Sequence, residues 1–238
     1  MIARDREKEE DKALALGIEN NGYAIVPRVV TAEETRCSLP DLEQSTSSRT
    51  RAGVRHLLSN PAVARLATDQ RMLGIAQSVL GRDAFPFKAT LFDKSSEANW
   101  LITWHQDTAL PLREKIETSA WGPWSTKEGI LYAHAPASTL EKVVALRLHI
   151  DDSDQENGPL RVIPGSHRQG VLSDQQVETI VVKVGYVTCL IERGGVIVMR
   201  PLLIHASSKS QSDKPRRVLH IEYATRDTVA PPLRLAIA

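Results

Sequence analysis

Gly195-Val196-Ile197-Val198-Met199-Arg200-Pro201-Leu202-Leu203-Ile204 is a mostly apolar run that leads into His205-Ala206-Ser207. A polar stretch from Ser208 to Pro215 follows, and then Arg216-Arg217-Val218-Leu219-His220-Ile221-Glu222-Tyr223-Ala224. Strand, polar loop and strand read most simply as a hairpin. Strand patterns recur outward from this pair, at 143–150, 159–163, 179–183, 186–191, 195–204 and 216–224. Asn157-Gly158-Pro159, Pro164-Gly165-Ser166, Gly185 and Gly194-Gly195 punctuate them. Many short strands with regular turn signals predict a sandwich or a barrel, not a parallel sheet.

Further back, Phe87-Lys88-Ala89-Thr90-Leu91-Phe92 and Trp100-Leu101-Ile102-Thr103-Trp104-His105 read as strands joined by a polar loop from Lys94 to Asn99. The N-terminal part is helical in pattern. Residues 4–20 are helix formers stopped by Asn20-Asn21-Gly22, and Tyr23-Ala24-Ile25-Val26 reads as a short strand. Thr31-Ala32-Glu33-Glu34 has the spacing of a capping box. Asn60-Pro61 opens a helix, and Met72, Ile75, Ala76, Val79 and Leu80 give another that Gly81 ends. Residues 111–142 carry three prolines, two glycines, Trp121 and Trp124, and read as an irregular connection of the kind that serves as a lid.

No shift in composition divides the chain, so 1–238 reads as one domain. Residues 1–82 form a mostly helical flank, and 83–226 a β core with a lid-like loop at 109–142. The 238 residues hold 30 basic and 29 acidic side chains, a net charge of +1. That balance argues against nucleic acid as a partner. An apolar content of 42% with 25% charged residues is that of a folded protein. The two cysteines, Cys37 and Cys189, form no CxxC pair and suit a reducing compartment. The charged start from Met1 to Glu10 has no apolar run behind it, and no segment has the length of a membrane span. The expected location is the cytoplasm, with no membrane partner.

Nucleotide loops, zinc-protease helices and nucleophile elbows have no sequence match here. Histidines and carboxylates on strands remain. His105-Gln106-Asp107 presents an imidazole and a carboxylate on one face, two of the three ligands of a facial triad for non-haem iron. His149-Ile150-Asp151 and His220-Ile221-Glu222 repeat the pattern, but inside strongly apolar strands, where a histidine hydrogen-bonded within the sheet is expected. His105 instead lies where a strand gives way to a loop. Folding the 208–215 loop about its middle sets His205 opposite Arg216 and makes Ser207 a diagonal neighbour of that arginine. A dicarboxylate that chelates the metal would then find a guanidinium at its far end. A shift of one residue in register selects Arg217 in its place.

The chain resembles the phytanoyl-CoA dioxygenase (PhyH) family of Fe(II)- and 2-oxoglutarate-dependent oxygenases. The matching stretches are Gly22-Tyr23, Leu91-Phe92-Asp93-Lys94, Trp104-His105-Gln106-Asp107, Asn157-Gly158-Pro159-Leu160, Ile163-Pro164-Gly165-Ser166-His167, and His205-Ala206-Ser207 with Arg216. They span about residues 18 to 225. The resemblance implies a double-stranded β-helix (a cupin-like jelly roll) with N-terminal helices outside. It makes His105, Asp107 and His205 the iron ligands, Arg216 the 2-oxoglutarate anchor and Ser207 its partner. The implied activity is hydroxylation of an aliphatic C–H bond of a small molecule, with O2 consumed and succinate and CO2 released. Related halogenases lack the carboxylate, so Asp107 points to oxidation without halogenation.

Lys88, Thr90 and Phe92 alternate on one strand face and are expected in the cosubstrate pocket with Lys94. Trp104 is read as packing and Gln106 as solvated. Arg147, a charge on an apolar strand, is a candidate for holding an acidic substrate, and His167 is a candidate neighbour of the site. Trp121 and Trp124 read as lid packing with a subsidiary role in substrate contact. Two other functions fit the same strands: a jelly-roll binding protein without turnover, and a cupin-like isomerase or hydrolase with His105, His149 and His205 around a metal. No basic cluster suited to coenzyme A is evident.

Overall fold

A computed structural model describes residues 2–36, 53–95, 98–116 and 118–238, with the backbone alone for 2–11. Cys37 and the Ser/Thr/Arg patch at 45–51 lie outside the described residues. The strands are β1 (Tyr23–Val26), β2 (Phe85–Lys94), β3 (Ile102–His105), β4 (Ala109–Leu112), β5 (Trp124–Lys127), β6 (Ile130–His134), β7 (Val143–His149), β8 (Leu160–Val162), β9 (Val187–Cys189), β10 (Val196–Met199), β11 (His205–Ser207) and β12 (Arg216–Ala224). The helices are α1 (Ile2–Asn21), α2 (Pro61–Ala67), α3 (Gln70–Leu80), α4 (Ala137–Leu140) and α5 (Asp174–Lys183).

The major sheet has the order β1-β10-β7-β12-β2, and the minor sheet β3-β11-β8-β9. All pairs in them are antiparallel. From β2 onward the chain crosses repeatedly between these two sheets, with β2, β7, β10 and β12 in the major one and β3, β8, β9 and β11 in the minor one, as in the expected jelly roll. Ala145, Ile197 and Met199 of the major sheet pack on Leu160, Val162, Cys189 and Leu203 of the minor side, which closes one end of the sandwich with apolar contacts. The other face of the major sheet carries Leu91, Leu146, Leu148, Val198, Leu219 and Ile221, against which Ile18, Val63, Met72 and Ala76 of the helices are buried. Each such aliphatic side chain stabilises the fold by about 1.5–3 kcal/mol when fully buried.

Local signals explain the helices. Asn60 Oδ1 accepts from the Ala62 and Val63 amides at the start of α2, and Asp69 caps α3, which ends at Gly81. The Thr31 and Glu34 box forms reciprocally, at 3.1 and 2.7 Å.

Three sequence expectations are corrected. The stretch at 179–183 is not a strand but the end of α5, because Ser173 and Gln176 form a capping box at its start and Val177, Ile180 and Val181 share one buried stripe. The run 195–204 is not one strand: β10 stops at Met199, Pro201 has no amide to continue the ladder, and Leu203 N donates to Arg200 O in a turn. The stretch at 109–142 is not an irregular loop. It holds a third sheet, β4-β6-β5, and the short helix α4. Its prolines and glycines sit largely at the turns, including Gly122-Pro123 just before β5, so period-two patterning is confined to segments of four or five residues.

Candidate active site

β3 and β11 lie side by side, with His205 directly opposite His105 in register. His105 Nδ1 donates to Thr103 O at 2.8 Å, and His205 Nδ1 donates to Leu203 O at 2.9 Å. A carbonyl only accepts, so each ring carries a proton on Nδ1 and turns Nε2 toward the site. Both Nε2 atoms meet the carboxylate of Asp107: His105 Nε2 is 3.7 Å from Oδ1, and His205 Nε2 is 3.6 Å from Oδ2. The Asp107 amide is anchored to Pro201 O at 2.9 Å. The three ligand atoms lie within 4.8 Å of one another. Octahedral donors about 2.1 Å from a cation are about 3 Å apart, so a small contraction would complete the site.

Electrostatics suit a cation there. Burial, and then the neighbouring His105, push the His205 imidazole down to about 3, so it is neutral and ready to ligate. Burial opposes the charge on Asp107, but His205 and His105 outweigh it and hold the carboxyl well below the usual range.

The arginine and serine expected beside His205 are present, but not by the expected route. His205 and Arg216 are not ladder partners: β11 is in the minor sheet and β12 in the major one, so the 208–215 loop crosses the sandwich and does not close a hairpin. Arg216 pairs in register with Lys94 instead. Its Nη2 donates to Ser207 Oγ across the interior at 3.2 Å, and its Nε donates to Asn157 O at 3.2 Å. Lys94 Nζ donates to Ser207 Oγ at 2.9 Å and also to Ser208 O. Ser207 Oγ passes its own proton to Gly158 O at 2.8 Å. Arg217, the alternative, points elsewhere and holds Asp151 at 2.7 Å.

The inner face of the major sheet continues this polar row. Arg147 Nη1 donates to His220 Nδ1 at 3.0 Å, His220 Nε2 donates to Glu222 Oε1 at 3.1 Å, and Lys88 Nζ reaches the same oxygen at 2.7 Å. Arg147 also stacks on Phe92, 5.2 Å from the ring centroid. Of the two apolar-strand histidines, His220 is hydrogen-bonded as expected. His149 is not: both of its ring nitrogens are buried without a partner among the described residues. His149 also stands outside the metal-ligand cluster, so the His105, His149 and His205 set is not assembled.

The interior fits a dianion. Lys94, Arg147 and Arg216 are all buried, and none forms an ion pair with a carboxylate among the described residues. Arg216 Nη1 and Arg147 Nε have no hydrogen-bond partner there. Burial, and then Arg216, Arg147 and Arg161, push the Lys94 ammonium down to about 7. Uncompensated buried charge costs several kcal/mol per ion. A short dicarboxylate between the triad and Arg216 would supply the missing acceptors.

A cavity of about 200 Å³ opens beside His105 and Asp107 and is lined by Lys88, Thr90, Phe92 and Lys127, among others. Lys88 and Thr90 therefore face the expected site. His167 does not: its Nε2 donates to Glu19 O at 3.2 Å, and it lines a separate cleft with Leu140 and Arg200. Trp121 and Trp124 pack in an apolar cluster with Leu112, Ala133 and Leu233, as packing residues should. Trp104 packs against Tyr186. Gln106 is not solvated: it bonds Leu202 O, Gly170 O and Leu172 N, and so locks the strand end that carries the triad. Arg55, Lys127 and Tyr132 of the cavity wall escape the sequence reading.

Residues 18–218 match the model of the phytanoyl-CoA dioxygenase (PhyH) family. An ectoine dioxygenase of Halomonas elongata is 25% identical over 194 residues, with 72% of this chain and 52% of that protein covered. An L-proline trans-4-hydroxylase of Streptomyces griseoviridis is 28% identical over 198 residues, with 72% and 66% covered. The chain spans about half the length of the first ectoine dioxygenases it matches. The solved structure of the epimerase SnoN in complex with Fe3+, alpha ketoglutarate and nogalamycin RO superposes with a TM-score of 0.72, at 19% identity over 96% of this chain and 95% of that one. EctD from S. alaskensis with 2-oxoglutarate and 5-hydroxyectoine gives 0.69, at 19% identity over 90% and 76%. These structures share the jelly-roll fold with this chain.

Proposed function

Because the chain belongs to the phytanoyl-CoA dioxygenase family, we propose that it is an Fe(II)- and 2-oxoglutarate-dependent oxygenase. It hydroxylates an aliphatic C–H bond of a small organic molecule and releases succinate and CO2. The observation that carries this is the convergence of His105 Nε2, His205 Nε2 and the Asp107 carboxylate on one side of a single point, with three buried cations behind them. Ectoine dioxygenases and a proline hydroxylase among the relatives support the same chemistry.

When bound, iron supplies the redox chemistry that couples O2 to 2-oxoglutarate and the C–H bond. The chain's own residues do the rest. His105 and His205 would hold the cation through their Nε2 atoms, each ring fixed by its Nδ1 hydrogen bond, and Asp107 would supply the negative charge. Arg216, with Ser207, grips the far carboxylate of 2-oxoglutarate. Lys94 shares Ser207 with that arginine and adds positive charge. Thr90 and Phe92 border the space between cosubstrate and substrate, and the Arg147, His220, Glu222 and Lys88 chain holds the floor rigid. On the inner side, buried Lys94, His205, Ser207 and Arg216 shield the cosubstrate end from water. No helix among the described residues is long and apolar enough to cross a membrane, and the cytoplasm fits the cysteine content.

The test is release of succinate from 2-oxoglutarate under Fe(II) and O2, with a chelated control, alongside an absorption band induced by 2-oxoglutarate in the anaerobic Fe(II) protein. A binding protein without turnover gives no succinate. A cupin-like hydrolase or isomerase that works through the metal alone needs no 2-oxoglutarate and shows no band.

A further inference from the structure

The cavity outside the triad holds more positive charge than its carboxylates cancel. Arg55, Lys88 and Lys127 all line it. Lys88 is neutralised by Glu222 at 2.7 Å, and Arg55 is paired with Glu128 at 3.2 Å. Lys127 has no carboxylate at ion-pair distance among the described residues and sits over the Tyr132 ring, 4.8 Å from its centroid. Burial, and then Lys88 and Arg55, lower its proton affinity, which marks a cation crowded by cations. Asp107, the other acid of the wall, already faces two imidazoles and belongs to the metal.

The arrangement is built. Lys127 ends β5 at a tight turn where Glu128 has φ 48° and Gly129 φ 82°, and His56 across from it has φ 59°. Left-handed backbone at two non-glycine residues persists only where the surroundings hold it. Glu128 bonds Arg55, and Tyr132 OH is 3.0 Å from His56 Nε2. The turn and the 55–56 segment therefore clamp each other, and Lys127 is aimed into the cavity between them.

We propose that the primary substrate is a small organic acid whose carboxylate is held by Lys127, with Arg55 as its neighbour, while its reacting carbon lies toward His105 and Asp107. This rests on the oxygenase assignment above and names the substrate class for that same site. The size agrees: the cavity of about 200 Å³ suits the reacting end of an acid of amino-acid size.

The experiment uses the anaerobic Fe(II) protein saturated with 2-oxoglutarate, and follows the shift of its absorption band as small acids are added. The panel includes L-proline and ectoine, each with its carboxamide. At least one acid is expected to shift the band and to couple succinate release to its own oxidation, with its carboxamide bound at least about 100-fold more weakly. Lys127→Gln is expected to lower the affinity for that acid, relative to 2-oxoglutarate, at least about tenfold, and Lys127→Arg to restore most of it. A panel in which no acid moves the band, carboxamides that bind as well as acids, or a Lys127→Gln variant with undiminished relative affinity each overturn the proposal. If 2-oxoglutarate induces no band in the unmodified protein, the oxygenase assignment itself fails, and the substrate class fails with it.

Discussion

His105 and His205 are directly paired residues of adjacent antiparallel strands, and their rings lie 4.2 Å apart between centroids. The ladder thus fixes the two proposed ligands without a metal, and Asp107 closes on both. Removing the carboxylate leaves two imidazoles without the charge that balances a divalent cation. Asp107→Ala is expected to reduce Fe(II) affinity and succinate formation by more than about 100-fold, above the effect of losing a mere supporting contact to a ligand. Metal titration and a succinate assay measure both, and the fold should survive because the strands do not depend on this side chain.

Arg216 reaches Ser207 and Asn157 from the opposite sheet while keeping Nη1 unbonded among the described residues. A lysine cannot reproduce that fork. Arg216→Lys is expected to raise the KM for 2-oxoglutarate by roughly 30-fold or more, in line with the 2–5 kcal/mol typical of truncating a buried charged partner. Fe(II) affinity should be nearly unchanged. Equal losses of metal and cosubstrate binding would place Arg216 in structural support instead.

The strand series, the helical flank and the triad are legible in the sequence because each rests on local pattern: alternation, caps, and a histidine where a strand ends. What stays hidden depends on where segments meet. A polar loop between two strands looks the same whether it closes a hairpin or crosses a sandwich, so the Arg216 and Lys94 pairing cannot be read. Ser207 is nonetheless placed beside Arg216, since both arrangements bring them together. The strands at 109–134 are masked by frequent prolines and glycines. The cavity cations come from three separate segments, at Arg55, Lys88 and Lys127, and only the tertiary fold unites them. His149 reads as bonded within the sheet, but the polar groups near it are themselves arginines.

The Lys94 ammonium titrates near 7 in the free protein, against about 10.4 in an unfolded chain. Between those values the unfolded chain binds more protons, so this residue's contribution to stability rises with pH over that window and is lost as pH falls toward 7. A bound dicarboxylate favours the charged lysine. Binding 2-oxoglutarate above pH 7 therefore takes up a proton, and affinity is expected to fall as pH rises from about 7, by up to about tenfold per unit. Titrations of the anaerobic protein between pH 6 and 9 measure this, and Lys94→Gln should flatten the slope. A flat profile in the unmodified protein would mean that Lys94 does not sense the cosubstrate.

Gly158 connects backbone geometry to the same cluster. It has φ +71°, and a Cβ there would come within 2.4 Å of Ser208 O and 3.1 Å of Lys94 Nζ. Its carbonyl also accepts from Ser207. Gly158→Ala must therefore strain the backbone and push apart Lys94, Ser207 and Ser208, the cluster proposed to hold the cosubstrate carboxylate. Gly81 is the control: it has φ +97°, but a Cβ there would meet no atom within 4 Å, so Gly81→Ala adds backbone strain alone, about 1–3 kcal/mol. Thermal denaturation should show a larger loss for Gly158→Ala than for Gly81→Ala. Only the former should also raise the KM for 2-oxoglutarate, because the collision lies against Lys94 and Ser208. A Gly158→Ala protein with an unchanged KM would show that the loop relaxes away from the cluster and that Gly158 serves the turn alone.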